Sequence, residues 1–416
     1  MSRVGIVADD LTGANDTAVQ FAREGWPTLL SLRPALETIK VEGVLAVCTD
    51  ARALGDRAAG VTAVAVERLR DNGVDQLYLK LDSTLRGSVA QQVQGALDAW
   101  STGQPDAFAV VCPAYPAMDR VVTDGTALAG GRRLEDGPAG RDPVTPVRTS
   151  RLDELLPGSV HVTLPPGADA ATLARLLAEA GARARVLTVD ARDDADLARV
   201  ADAVAALGPR AVPAGSAGLA LALAPRWRPD QGAARQVPAE EPAGDGPVLA
   251  LVTSLHQVAR EQEQKLREAW AGNVLHLAPT LGDLLDEDRL AAWQRAHLPV
   301  DALPDLVVVT APATRAETGA DAATTVARAL ADVVAGLHAA QPARAVVVTG
   351  GDGARALVDR WQCTGISVHG AVDEGVPYGV LVGGQADGLP ITTKAGGFGH
   401  PDSLVRAVRA AGPRHS

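Results

Sequence analysis

Two adjacent carboxylates, Asp9 and Asp10, directly follow a short apolar run, Val4-Gly5-Ile6-Val7. The run reads as a buried parallel strand. Neighbouring carboxylates repel each other and favour a metal, another cation or a hydroxyl donor beside them. A solvated turn would explain an isolated Asp-Asp equally well. A denser cluster spans Lys80-Leu81-Asp82-Ser83-Thr84-Leu85-Arg86-Gly87, which packs two cations, a carboxylate and two hydroxyls into eight residues. Arg86 could grip a carboxylate through two parallel hydrogen bonds. Asp82 and Ser83 could take vicinal hydroxyls. The plain alternative is a loop salt-bridged to itself.

The second half of the chain carries two glycine clusters. Thr349-Gly350-Gly351-Asp352-Gly353 follows an apolar run and opens a helical pattern. Glycines let backbone approach a ligand, and a helix N-terminus offers free amides and a positive dipole end, a combination that favours phosphate. It is neither a Walker A loop nor GxGxxG. Lys394-Ala395-Gly396-Gly397-Phe398-Gly399 joins a lysine to three glycines. Only four lysines occur, at 40, 80, 265 and 394, in an arginine-rich chain. A lysine kept against that bias suits a role for a compact point charge, such as offsetting a transferring phosphoryl group. The alternative is a tight turn with Lys394 solvated. His256 and His400 suit structural or solvated positions better than ligand contact.

These residues need elements to hold them at one edge. The periodicity predicts strands at Val4–Val7, Pro27–Leu32, Val44–Cys48, Gln76–Lys80, Phe108–Cys112, Ala184–Val189, Pro247–Thr253, Leu306–Thr310 and Ala345–Thr349, with helices between them. The first helix is expected to start with Asn15 or Asp16 as cap and to stop near Gly25. Ser88 is expected to cap another helix, and Ser254 to open one running to about Trp270. Strands alternating with helices argue for mainly parallel sheets covered on both faces. Asp9, Asp10, Asp50, Arg52, Lys80, Asp82, Ser83 and Arg86 all follow strand C-termini, the edge where such sheets build sites. Residues 121–157 read as a long ordered excursion with a small hairpin. The expected division is a first domain over 1–228, a linker over 229–246 and a second domain over 247–416.

The 416 residues suffice for two sizeable cores. A net charge of -11 argues against general affinity for nucleic acid or anionic membrane, though not against an anionic small substrate. Three distant cysteines without CxxC support neither a disulfide framework nor a cysteine zinc site. No apolar run spans a membrane and no signal peptide is evident, so a cytoplasmic protein is expected.

Taken together, the chain resembles the four-carbon acid sugar kinase family over nearly its full length. The residues that carry the likeness are ADDLTGAND (8–16), KLDSTLRGS (80–88), CPAYP (112–116), GSAGLA (215–220), TSLHQVAREQ (253–262), GGDG (350–353) and KAGGFG (394–399). The resemblance implies two Rossmann-like α/β domains, an N-terminal acid-sugar domain and a C-terminal nucleotide domain, with reaction in a cleft between them. It implies transfer of the ATP γ-phosphate to the terminal hydroxyl of D-threonate, D-erythronate or a 3-oxo-tetronate, with Mg2+ as the metal and a homodimer as a compatible assembly. Asp10, Arg52, Lys80, Leu81, Asp82 and Ser83 should then touch the acid sugar, and Ser254, Gly350 to Gly353, Gly396 and Gly397 should touch ATP. Asp10 by preference, or Asp9 or Asp82, would orient or deprotonate the attacking hydroxyl. Arg52 or Arg86 would hold the substrate carboxylate, and Lys394 would offset phosphate charge. Against the family pattern, Gly353 stands where Thr is usual, Ser88 where Asn is usual, and Met118-Asp119-Arg120 where Gly usually precedes the Arg. Rival readings are a kinase of another small hydroxy acid, a non-catalytic acid-sugar sensor, and an NAD-dependent hydroxy-acid dehydrogenase. The last lacks a GxGxxG after any predicted strand.

Overall fold

The computed structural model describes residues 3–32, 42–165, 167–228, 244–270, 274–298, 302–313 and 320–412. Most of the expected linker, at 229–243, lies outside them. The chain divides into two compact units, Met1–Arg235 and Gln236–Ser416.

In the first unit β1 (Val4–Ala8) leads into α1 (Leu11–Arg23), and β2 (Thr28–Ser31) and β3 (Val44–Cys48) precede α2 (Arg57–Asp71). Next come β4 (Gln76–Lys80), α3 (Val89–Trp100) and β5 (Phe108–Cys112). A small antiparallel sheet follows, of β6 (Arg120–Thr123), β7 (Thr126–Ala129) and β8 (Arg132–Arg133), with short α4 (Leu152–Leu155) after it. This is the ordered excursion read from the sequence. The unit closes with β9 (Val160–Val162), α5 (Ala170–Gly181), β10 (Val186–Val189), α6 (Asp194–Leu207), β11 (Ala211–Gly215) and α7 (Ala217–Trp227).

Its main sheet runs β2-β3-β1-β4-β11-β5-β10-β9, with every pairing parallel. Strands β1, β3 and β5 are buried throughout, which is why they read as continuous apolar runs rather than alternating ones. β1 lies between β3 and β4, so the chain steps outward on both sides of it. That switch point is where ligands bind in open α/β sheets.

The second unit contains β12 (Val248–Val252), α8 (Gln257–Ala269), β13 (Val274–Leu277), α9 (Leu281–Leu284), α10 (Glu287–His297) and β14 (Leu306–Thr310). After them come α11 (Ala320–Ala340), β15 (Ala345–Thr349), α12 (Gly351–Arg360), β16 (Gly365–Asp373), β17 (Val376–Val382), β18 (Pro390–Lys394) and α13 (Ser403–Ala410). The order β13-β14-β12-β15-β18 is parallel, and β17 and β16 continue it antiparallel. The long β16–β17 ribbon is not among the elements expected from the sequence, because its four glycines and its bulges near Gly370 interrupt the period-two pattern.

Two helix glycines make opposite predictions. At Gly95 an added Cβ would run into the backbone of Ala59, where α3 crosses α2. Gly60, inside α2, has open space around it. Gly95→Ala should destabilise the first unit by about 1–3 kcal/mol through overpacking. Gly60→Ala should stabilise it by up to about 1 kcal/mol through helix propensity. Urea unfolding curves of both variants check the pair.

Candidate active site

Asp10 is the N-cap of α1: its backbone is extended and its Oδ1 accepts from Gly13 N at 2.8 Å. The helix therefore starts earlier than an Asn15 or Asp16 cap would allow, and Asn15 and Asp16 are buried within it. Gly25, with φ 78°, does follow the helix end as expected. Asp9, one residue before the cap, is only 1% exposed.

Arg52 joins these carboxylates. Its Nε lies 2.9 Å from Asp9 Oδ2, and its Nη2 lies 2.9 Å from Asp10 Oδ1 and 3.5 Å from Asp82 Oδ1. β3, β1 and β4 are adjacent, so the residues after their C-termini meet. Burial alone would pull the Arg52 guanidinium down, but Asp10, Asp82 and Asp9 together hold it well above its usual value. Burial pushes the Asp9 carboxyl up, against the pull of Arg52. Asp82 is buried too, yet Arg52, Arg86 and Lys80 hold it well below the usual carboxylate range. Among the three, Asp10 has the most open side chain, at 30%. Both of its side-chain contacts fall on Oδ1.

Arg86 differs from Arg52. Its Nε and Nη2 each lie 2.9 Å from an Asp82 oxygen, and its Nη1 lies 3.1 Å from Asp142. All three nitrogens are committed, so Arg86 takes the salt-bridged alternative. Asp142 sits within the excursion, 56 residues away in sequence, and no local pattern pointed to it. Lys80 is buried and its Nζ donates to Leu81 O at 2.7 Å. A Cβ on Gly13 would sit 2.8 Å from that Nζ, so glycine there lets the lysine approach the start of α1. Leu81 is tied to β11 through Gly215, and Ser83 is half-buried beside the cluster.

Other motifs prove structural. Ser216 caps α7 and donates to Ala114 O at 2.8 Å, which joins GSAGLA to CPAYP. Asp119 adopts φ 54°, the left-handed conformation for which glycine is the easiest residue and which Asp tolerates.

In the second unit the loops after β12, β15 and β18 converge in the same way. Gly350, with φ 112°, caps α12, and its amide donates to Lys394 O at 2.9 Å. A side chain at Gly350 or Gly353 would meet Thr253, whose Oγ1 already fills that space. Thr253 Oγ1 also donates to Thr349 O at 3.2 Å. Gly351 and Asp352 form the first turn of α12. A Cβ on Gly396 would collide with Ser254 Oγ, and one on Gly397 would come 3.2 Å from His256 Nε2. The loops at Ser254 and at Gly396–Gly397 therefore face each other closely. His256, not Ser254, caps α8, with its Nδ1 accepting from Val258 N.

Lys394 is 2% exposed, and its Nζ donates to the carbonyls of Ala395, Gly396 and Phe398. It is neither solvated nor aimed outward at a phosphate, but staples the loop that follows it. Burial pushes its pKa down to about 8. Buried Gln262 adds bonds to Phe398 O and His400 O. Among the described residues, no group of three or more His, Cys, Asp or Glu side chains is arranged to hold a metal by itself. No helix there is long and apolar enough to cross a membrane.

A family model described as a sugar-binding N-terminal domain matches residues 4–223, and one described as a nucleotide-binding C-terminal domain matches residues 249–404. The D-threonate kinase of Bordetella bronchiseptica is 45% identical over 98% of this chain and 97% of its own. The 3-oxo-tetronate kinase of Burkholderia multivorans is 28% identical over 98% and 97%. A crystal structure of a Bordetella bronchiseptica domain of unknown function, with bound citrate and as a domain-swapped dimer, is 43% identical with a TM-score of 0.51, covering 99% of this chain and 100% of that one. With both of its family's domains matched along nearly its whole length, the chain belongs to the four-carbon acid sugar kinase family.

Proposed function

We propose that the protein transfers the γ-phosphoryl group of ATP to the C4 hydroxyl of a four-carbon acid sugar, D-threonate first and D-erythronate next. The observation that carries this reading is the Asp9–Arg52–Asp10–Asp82 constellation, in which Asp10 keeps the most exposed carboxylate at the switch point of the sheet. The 45% identity to a D-threonate kinase supports the choice of substrate. Residues 1–228 would hold the sugar and residues 247–416 the nucleotide. The reaction would run in the cytoplasm, where ATP is supplied, and a homodimer would accord with the dimeric relative.

Asp10 Oδ2 would take the proton from the C4 hydroxyl as that oxygen attacks the γ-phosphorus in line and the bond to the β-phosphate oxygen breaks, releasing ADP. Arg52 Nη1 would receive the substrate carboxylate, since Arg86 is fully engaged. Asp82, Ser83, Lys80 and the Leu81 backbone would take the hydroxyls. Asp9 would anchor Arg52 rather than act on substrate. The backbone at Gly350, Gly353, Gly396 and Gly397, packed against Thr253, Ser254 and His256, would offer amides and hydroxyls to a polyphosphate. Asp352 stands at the same helix start, and one carboxylate with the nucleotide's own phosphates is the usual way to hold Mg2+. Mg2+ bound there would supply charge neutralisation on the phosphates. Lys394 would act by holding its loop in shape. Phosphoryl transfer further requires the two bound substrates to meet with water excluded.

An ADP-release assay over D- and L-threonate, D- and L-erythronate, 3-oxo-tetronates and glycerate tests class and substrate together. D-threonate should give the highest kcat/KM. Absence of ADP release with every tetronate would overturn the reading. Asp10→Asn separates charge from structure, because Asn caps helices as well as Asp. Turnover should fall at least about 100-fold, the usual weight of a general base, while ATP binding stays near wild type. Unchanged turnover would remove Asp10 from the chemistry.

Lys394 yields a pH dependence. Above about pH 8 it loses the charge and one of the hydrogens that hold three carbonyls. The KM for ATP should therefore climb several-fold between about pH 7 and about pH 9 in the wild type, and Lys394→Gln should lack that step. Stability should move the other way. The unfolded chain keeps this proton up to about 10.5, so the group's contribution to stability rises between about pH 8 and 10.5. Kinetics and unfolding midpoints measured on the same pH series check both signs.

A further inference from the structure

Ser88 ends the segment that carries Lys80, Asp82 and Arg86, and it is buried. It precedes α3 but makes no side-chain capping bond to it. Its hydroxyl is used elsewhere. Oγ donates to the main-chain carbonyl of Arg52 at 3.0 Å and accepts from Gly55 N at 2.9 Å. The Ser88 amide donates to that same Arg52 carbonyl at 3.0 Å. Gly87, with φ 83°, brings the chain so close that a Cβ there would run into the Arg52 carbonyl. One hydroxyl thus pins both ends of the turn from Arg52 to Gly55.

That turn is the base from which the Arg52 guanidinium reaches Asp9, Asp10 and Asp82. The side chain is long, and a small rotation of its main chain moves Nη1 by a large fraction of a hydrogen-bond length. No other side-chain bond is seen to hold the Arg52 carbonyl among the described residues. We propose that Ser88 is a positioning residue, which sets Arg52 for the substrate's carboxylate and thereby tunes which hydroxy acid is accepted. This rests on the reading of Arg52 as the carboxylate receptor.

The test compares full-length Ser88→Ala and Ser88→Thr with the wild type. Ser88→Ala removes both hydroxyl bonds and leaves the amide bond, so the fold should persist. KM for D-threonate should rise about tenfold, the scale of one or two lost hydrogen bonds, with KM for ATP within about twofold. The D-threonate to D-erythronate selectivity ratio should shift, and Ser88→Thr, which keeps the hydroxyl, should restore both. Phenylglyoxal labelling of Arg52, followed by peptide mass spectrometry, should be several-fold faster in Ser88→Ala. A folded Ser88→Ala variant with unchanged tetronate KM and unchanged Arg52 labelling would overturn the proposal. So would a loss confined to kcat that follows the unfolding midpoint and leaves the selectivity ratio intact. If the wild type releases no ADP with any tetronate, the functional reading fails, while the labelling rates still decide whether Ser88 positions Arg52.

Discussion

A half-buried guanidinium shared by three carboxylates governs the first unit. Arg52 meets Asp9, Asp10 and Asp82, which come from the ends of two strands, while Arg52 itself follows a third. Charges taken out of water are tolerated only when their partners are complete, and removing one partner of a buried pair costs roughly 3–5 kcal/mol. The cluster therefore demands that β3, β1 and β4 lie side by side in register, as they do. It also divides labour among chemically similar groups. Asp9, buried and doubly bonded to Arg52, is fixed in place, whereas Asp10 keeps an open face.

The second unit solves the opposite problem. Its buried cation, Lys394, faces carbonyls rather than a carboxylate. Backbone dipoles can hold an ammonium without cancelling its charge, so the loop around it stays electropositive toward whatever lies across its amides. The glycines at 350, 353, 396 and 397 let Thr253, Ser254 and His256 pack directly against the backbone of these loops. Close packing here comes from absent side chains and field from a hidden lysine, a division of roles that would suit phosphate groups.

Much of this was legible in the chain. Continuous apolar runs marked the parallel strands, because strands buried on both faces need no alternation. The polar residues after them marked the site edge. Caps were harder: Asp10, Ser88 and Ser254 each had a plausible neighbour or role, local bonds from Gly13 N to Asp10 and from Val258 N to His256 set two of the caps, and a tertiary contact ties Ser88 to a distant carbonyl. Asp142 and Thr253 were passed over for the same reason. Their partners, Arg86 and the glycine loop, lie far away in sequence, and nothing local distinguishes them. The direction of the Lys394 side chain was likewise invisible, since the same motif suits a lysine pointing outward or back onto its own loop. The β16–β17 ribbon was missed because bulges and glycines erase the alternation that marks a half-buried strand.

The charge balance of the front cluster bears on what it can select. Asp9, Asp10 and Asp82 are formally offset by Arg52, Lys80 and Arg86, and Asp142 adds one more negative charge on the outer side of Arg86. A bare anion arriving there gains little from the net field, and a polyanion would meet open carboxylate oxygens at close range. A ligand with one carboxylate and several hydroxyls fares better. Its hydroxyls would donate to the carboxylates while its single charge accepted from the remaining Arg52 nitrogen, so recognition would be directional rather than coulombic. That requirement would separate a short hydroxy acid from inorganic phosphate or a dicarboxylate. It also explains why small shifts in the Arg52 turn would matter more to such a site than added positive charge would.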